Sequence, residues 1–170
     1  EKITAKSYYQ QIAQDTVAAI VNDLITTGAK PEVINAYFAV GDSAWFKNTK
    51  RANDLLLGWQ KACDLAGLTW GGGETPTLSG IVKPQTIELG GAATGIIKPK
   101  SQLVLGDKLK VGDLIILVAS SGIHANGLTL ARKIALSLPK GFATKMVNGQ
   151  IMNSDNKFSG AITNFFFQRI

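Results

Sequence analysis

Between residues 25 and 32 the hydrophobic pattern changes from helical to strand-like, and that change limits what the chain can fold into. Before it, "SYYQQIAQDTVAAIVNDLITT" (7–27) places apolar residues at 13, 17, 20, 21, 24 and 25, close to the helical period. Gly28 and Pro31 then form a stop signal. "EVINAYFAV" (32–40) is aliphatic and aromatic, which predicts a strand ended by Gly41-Asp42. The alternation continues. "NTKRANDLLLGWQKACDLAG" (48–67) predicts a second amphipathic helix ending at Gly67, and "LTW" (68–70) a short strand feeding a glycine run. "QTIELGGAATGIIKP" (85–99) predicts a further strand region, bent or bulged by its glycines. Helix and strand in turn argue for an α/β or α+β fold over residues 1–99.

A boundary is expected near 98–101, where "KPKSQ" breaks the pattern. The charge balance changes there too. Residues 1–99 hold nine Lys+Arg and nine Asp+Glu, whereas residues 100–170 hold nine and three, so the net charge of +6 comes wholly from the second part. "DLIILVAS" (113–120) predicts a buried strand from its continuous apolar run. "SGIHANG" follows as a loop and "LTLARKIALSL" (128–138) as a helix stopped by Pro139. This strand–loop–helix unit predicts the opening of a second, incomplete α/β domain over 100–170. After Lys145 no period is legible.

At 45% hydrophobic residues and a mean hydropathy of +0.12, a packed core is easily supplied and disorder is excluded as the general state. Apolar runs such as "LIILVA" (114–119) fall well short of the ~18 residues a membrane span needs, so no membrane partner is expected. Cys63 is the single cysteine. It excludes an internal disulfide framework and any metal site built mainly of cysteine, and fits a reducing, cytoplasmic setting. The basic excess suits an anionic ligand or an ordinary solvated face. No dense Lys/Arg run interleaves with aromatics, so no nucleic-acid partner is expected.

Three stretches could carry chemistry. Asn22 and Asp23 interrupt the most apolar helix, and Asp15, seven residues earlier, shares a face with Asn22. Such an edge suits a hydrated Mg²⁺, which prefers one or two carboxylates plus substrate oxygens. It equally suits the solvent-facing side of an amphipathic helix. In "WGGGETPTLSG" (70–80), Gly71, Gly72 and Gly73 lack Cβ atoms and admit a ligand or another backbone, with Glu74 and Thr75 beside the space. Glu74 there could bind Mg²⁺ or accept a proton from a substrate amine. The bland alternative is a tight turn with an exposed acid. The run matches neither GxxxxGK[ST] nor a helix-opening GxGxxG. In "SSGIHANG" (120–127), Ser120, Ser121 and Asn126 offer donors, and Gly122 and Gly127 allow close approach. His124, the only histidine, could hydrogen-bond a phosphate or act as acid or base near neutral pH. Loops at strand C-terminal ends are where open α/β sheets bind ligands. No GxSxG elbow supports a hydrolase, and nothing supports a zinc site.

Together, "DTVAAIVNDLITTGAKP" (15–31), "GGGETPTLSGIV" (71–82) and "GDKLKVGDLIILVASSGIHANGLTLARKI" (106–134) resemble, in order, the aminoimidazole ribonucleotide (AIR) synthetase superfamily, nearest its AIR synthetase-related branch. The likeness spans residues 10–140. It implies a first domain with a small sheet and helices on one side, which forms a homodimer by joining two sheets into a barrel. It implies the first part of an α/β second domain from about residue 100. It also implies ATP and Mg²⁺ as cofactors and a nucleotide-like small-molecule substrate. In that chemistry ATP phosphorylates an amide oxygen of formylglycinamidine ribonucleotide, and a neighbouring nitrogen closes the imidazole ring as phosphate leaves. By position, Asp23, with Asn22 and Asp15 beside it, is implied to hold Mg-ATP. Glu74 is implied to stand in the catalytic cleft with Gly72 and Gly73 admitting substrate, and His124 and Asn126 to face that substrate.

The resembled family's glycine-rich segment before the first helix, and the later half of its second domain, are not among these residues. "Pro-Thr-Leu" at 76–78 stands where the housekeeping enzyme carries an Ala-Glu-Met type of stretch. A related small-molecule kinase or ATPase, and a non-catalytic dimerisation or ligand-binding module, are the alternatives these departures raise.

Overall fold

A computed structural model describes residues 5–117, 128–138, 140, 141, 145–147 and 150–152, the last two groups by backbone only. Helix α1 (Tyr9–Ile25) buries Ala13, Val17, Ala18 and Val21, the stripe its period predicts. Its last turn is closed by two hydroxyls: Thr26 donates to the Asp23 carbonyl and Thr27 to the Leu24 carbonyl, both at 2.7 Å. β1 (Lys30–Val40) follows at once. A short 3-10 turn (Ser43–Lys47), which the sequence pattern did not predict, then seats Trp45 in the core. Helix α2 (Thr49–Ala66) begins where the Asn48 side chain accepts from Arg51 N–H at 3.1 Å. It ends in a Schellman arrangement: Gly67 N–H reaches Asp64 O and Leu68 N–H reaches Cys63 O, with Gly67 left-handed at φ 66°.

β2 (Thr69–Glu74) and β3 (Ile87–Ile96) complete a three-stranded sheet in the order β2-β1-β3. β1 runs parallel to β2 and antiparallel to β3. The parallel pair requires a crossover, and α2 supplies it. Both helices lie on one face of the sheet. Ile34, Ala36, Phe38 and Val40 of β1 point into that layer and join Val17, Leu55, Trp59 and Cys63 in one core. Phe38 and Trp59 meet edge to face, ring centroids 5.0 Å apart. The two helices approach closely because Gly58 of α2 has no Cβ; one placed there would lie 2.4 Å from the Gln10 carbonyl oxygen. Burial pushes the Cys63 thiol up to about 11, with the Asp64 charge adding to the effect, so this cysteine packs as a small apolar group.

The second part differs from expectation. Residues 113–117 form no strand, and Leu114, Ile115, Ile116 and Leu117 stand in solvent rather than in a core. A continuous apolar run becomes a buried strand only where neighbouring strands pair with it, and no described strand does. Residues 118–120 of that run lie outside the described residues. Helix α3 (Leu128–Leu136) is present as the sequence predicts. Past Lys145, where no period was legible, β4 (Lys145–Val147) and β5 (Gln150–Met152) pair as two antiparallel strands. Among the described residues no helix is long and apolar enough to cross a membrane.

Candidate functional site

The glycine run does not follow β2; it is β2. Trp70 turns inward, its ring 6.4 Å from Phe38 and 6.2 Å from Trp59. Side chains alternate along a strand, so Glu74, four residues later, should share Trp70's inward face. It does not. The register steps from Ile34 opposite Trp70 to Asn35 opposite Gly72, leaving Gly71 as an extra residue. Beyond that bulge Gly73 lies opposite the inward-facing Ala36 and Glu74 opposite Tyr37 on the other face. A one-residue slip moves every later side chain across the sheet. The bulge thus lifts a carboxylate out of the core and presents it on the face opposite the helices.

Local sequence fixes this geometry. The Trp70 indole N–H donates to the Gly72 carbonyl at 2.8 Å, clasping the bulge from within the strand. Gly73 has φ 156°, and a Cβ there would lie 2.0 Å from the Ala36 carbonyl oxygen, so glycine is required on two counts. The resulting groove, about 610 Å³, is lined by Asn35, Ala36, Tyr37, Gly73, Glu74, Gly91 and Ala92. Gly72 and Thr75 flank it without lining it. Asn35 and Tyr37 are additions to the sequence-based set. Their signal was the alternation of β1, whose residues 35 and 37 fall between the inward-facing apolar positions.

The second set of candidate residues lies on α1, in the helix layer. Asp15 and Asn22 are both partly buried on the same helix face. Burial pushes the Asp15 carboxyl up to about 6. The Asn22 Oδ1 is buried with no hydrogen-bond partner among the described residues. Asp23, about 100° further round the helix, is exposed. The structure therefore places Asp15 and Asn22 on one face of α1 about two turns apart, turns Asp23 toward solvent, and puts the set on the opposite side of the sheet from Glu74. Among the described residues, no group of three or more His, Cys, Asp or Glu side chains could hold a metal unaided. Ser120, Ser121, Gly122, His124, Asn126 and Gly127 lie outside the described residues.

Residues 2–97 match the family described as AIR synthase related protein, N-terminal domain. The chain belongs to this family. Over 128 residues it is 43% identical to the phosphoribosylformylglycinamidine cyclo-ligase of Carboxydothermus hydrogenoformans, which covers 75% of this chain and 36% of that protein. It is 38% identical over 126 residues to the enzyme of the same name from Coxiella burnetii, covering 74% and 34%. The Thermodesulfovibrio yellowstonii relative is 37% identical over 132 residues, covering 78% and 37%. The chain spans about a third of the length of these relatives. Solved structures with a similar arrangement include a HypE–HypF complex (23% identical) and E. coli HypE, a hydrogenase maturation protein (17% identical). Each has a TM-score of 0.44 and covers 51% of this chain, and 27% and 26% of those chains.

Proposed function

We propose that the chain carries the nucleotide-handling part of an ATP-dependent cyclo-ligase of the purine-biosynthetic type, acting on formylglycinamidine ribonucleotide. The observation that carries the reading is the orphaned Asn22 Oδ1 on the same face of α1 as half-buried Asp15, about two helical turns away, in a chain 43% identical to a cyclo-ligase. A buried oxygen without a donor is costly, and a half-buried carboxyl held near pH 6 is short of a positive partner. A bound Mg-ATP, its metal at one group and its phosphates or metal-bound waters reaching the other, answers both demands. These residues fit Mg-ATP on that ground, with Asp23 at the exposed rim. Bound ATP would supply the phosphoryl group that converts an amide oxygen into a leaving group.

The protein's own part is to place groups. In this reading Asp15, Asn22 and Asp23 hold the nucleotide and its metal. Glu74 stands in the substrate groove, and the loop containing Ser120, Ser121, Gly122, His124, Asn126 and Gly127 faces substrate. Residues 1–99 then form the ATP-binding, dimerising domain and residues 100–170 the beginning of the second domain. The uncovered sheet face supports a homodimer: Val33 and Ile96 are apolar, exposed and near one end of it. The buried, lone Cys63 supports a reducing, cytoplasmic setting.

Isothermal titration of a non-hydrolysable ATP analogue, with and without Mg²⁺, tests the reading. Magnesium-dependent binding weakened at least tenfold by Asp15→Asn and by Asp23→Asn is the expected result. Nucleotide binding indifferent to both substitutions, or absent at millimolar concentration, overturns it.

A further inference from the structure

Two threonines and a glycine follow Ile25 at the end of α1, and together they close the carbonyls that a helix end leaves free. Thr26 N–H reaches Asn22 O at 3.3 Å, and the Thr26 hydroxyl donates to Asp23 O at 2.7 Å. Thr27 N–H and hydroxyl both donate to Leu24 O, at 3.2 and 2.7 Å. Gly28 N–H reaches Ile25 O at 3.0 Å, with φ 83°. The backbone of Asn22 and Asp23 is thus tied into one tight turn that ends at Gly28. That turn accepts one bond from far along the chain: Val104 N–H donates to Thr27 O at 2.9 Å. The approach is close. A Cβ placed on Gly28 would run into the Gln102 carbonyl oxygen and meet Val104 Cγ2 at 3.4 Å. The segment on the other side is lightly held. Residues 98–102 and Val104 are exposed, and only Leu103 among them is half-buried. Among the described residues from 98 to 117, the other backbone bonds are local: Gln102 to Pro99, Leu103 to Lys100, Leu109 to Gly106 and Asp113 to Lys110. A segment with so little burial and one distant backbone bond belongs to the part of a fold that opens locally. It has two states, docked on Gly28 or released.

We infer that residues 102–104 are a latch coupled to the nucleotide: a ligand held at Asn22 and Asp23 fixes the last turn of α1, and the fixed turn holds Val104. The inference rests on the nucleotide reading above, and it adds a consequence for the chain beyond β3. Residues 105–117 follow the latch directly, so it also fixes where that exposed apolar run leaves the sheet and helices. Coupling between two sites is reciprocal. Nucleotide must therefore protect the docked latch by the same factor by which loss of the latch weakens nucleotide.

The test uses the 170-residue chain with a non-hydrolysable ATP analogue and Mg²⁺, read by amide hydrogen exchange and by titration. Saturating nucleotide should slow exchange of the Val104 amide at least about fivefold and leave the Leu109 and Asp113 amides, which sit in local turns, unchanged. Val104→Pro removes the donor without touching α1, and Leu103 already has the extended ψ, 124°, that a residue before proline prefers. It should weaken nucleotide by the same factor. Gly28→Ala, which drives a Cβ against the Gln102 carbonyl, should do likewise and leave the Val104 amide unprotected. Leu109→Pro, a proline placed beyond the latch, should bind nucleotide as the unaltered chain does. A Val104 amide indifferent to bound nucleotide overturns the inference, and so does full affinity in Val104→Pro. Equal slowing of the β1–β3 ladder amides overturns it too, because general stabilisation needs no latch. Absence of nucleotide binding in the unaltered chain removes the nucleotide reading and the coupling with it. Binding that Asp23→Asn weakens while Val104 stays unmoved removes the coupling alone.

Discussion

Residues 34–40 of β1 and residues 113–117 are both short apolar runs that the sequence marks as strands, yet Ile34 is 0% exposed and Leu114 91% exposed. The two differ in what surrounds them. β1 is flanked by β2 on one edge and β3 on the other and roofed by two helices, whereas residues 113–117 have no described strand beside them. Composition supplies the wish to be buried; neighbours supply the means. The sharpest way to break the comparison is to truncate one side chain in each run. Ile34→Ala removes atoms from the closed core and should cost about 2–5 kcal/mol of folding stability. Ile116→Ala should stay within about 0.5 kcal/mol. Urea titrations of the two variants, read as midpoints at constant slope, decide it.

The next largest effect concerns the edge that makes β1 central. Gly73→Ala sets a Cβ 2.0 Å from the Ala36 carbonyl oxygen at a φ that L residues rarely adopt. Either β2 pulls away from β1 or the bulge is lost, at a cost of about 1–3 kcal/mol. Hydrogen exchange should report loss of protection in the β1–β2 ladder with β1–β3 intact. Uniform loss across the sheet would mean the strands do not part separately. Deleting Gly71 asks the complementary question: without the extra residue Glu74 turns toward the core and the groove loses its acid.

The bulge also shows where sequence reading stopped. Helices over 7–27 and 48–67 and a strand over 32–40 were legible because each carries its own pattern and its own stop: Gly28, Gly67 and Gly41-Asp42. β2 was read as ending at Trp70, because three glycines look like a loop when the partner strand is unknown. In the structure they are the strand, chosen for their missing side chains. Glu74 was identified as an acid in the glycine run; that it lines the groove through a register slip belongs to the pairing, not to either strand alone. Asn35 and Tyr37 were passed over because their face could not be assigned without knowing where the helices lie. Asp15 and Asn22 were recognised as sharing a face from spacing alone, whereas their burial depends on contacts far along the chain.

The rule that burial needs a partner applies to charge as well. Asp54 of α2 accepts from Gln10 at 3.1 Å and from Lys50 at 2.9 Å. The Asp15 carboxyl, partly buried, is pushed up to about 6 by burial instead. The sign follows. Between the ordinary carboxylate value near 4 and about 6, the native state keeps a proton that the unfolded chain releases, so stability falls as pH rises through that window and stays lowered above it. Asp15→Asn should therefore raise stability at pH 7 by about 1 kcal/mol, discounted for the partial exposure of the group, and change nothing below about pH 4. Thermal melts of both proteins at pH 4 and 7 check this. A substitution that stabilises the fold while weakening nucleotide binding would mark Asp15 as kept for its ligand.

The smallest expected effect sharpens the opening contrast furthest. Ile116→Thr replaces an apolar side chain, 86% exposed, by a β-branched polar one of smaller size. If residues 113–117 are solvent-facing in the chain as it stands, folding stability should move by less than about 0.5 kcal/mol. What should change is association: four consecutive exposed aliphatic residues form the kind of apolar surface that soluble chains rarely display, and one hydroxyl in it should raise solubility. Light scattering at rising protein concentration, with a urea titration alongside, separates the two effects. Destabilisation above about 1 kcal/mol would show that the run is already covered in solution. The difference from β1 would then lie in which surface covers each run, since both would be buried.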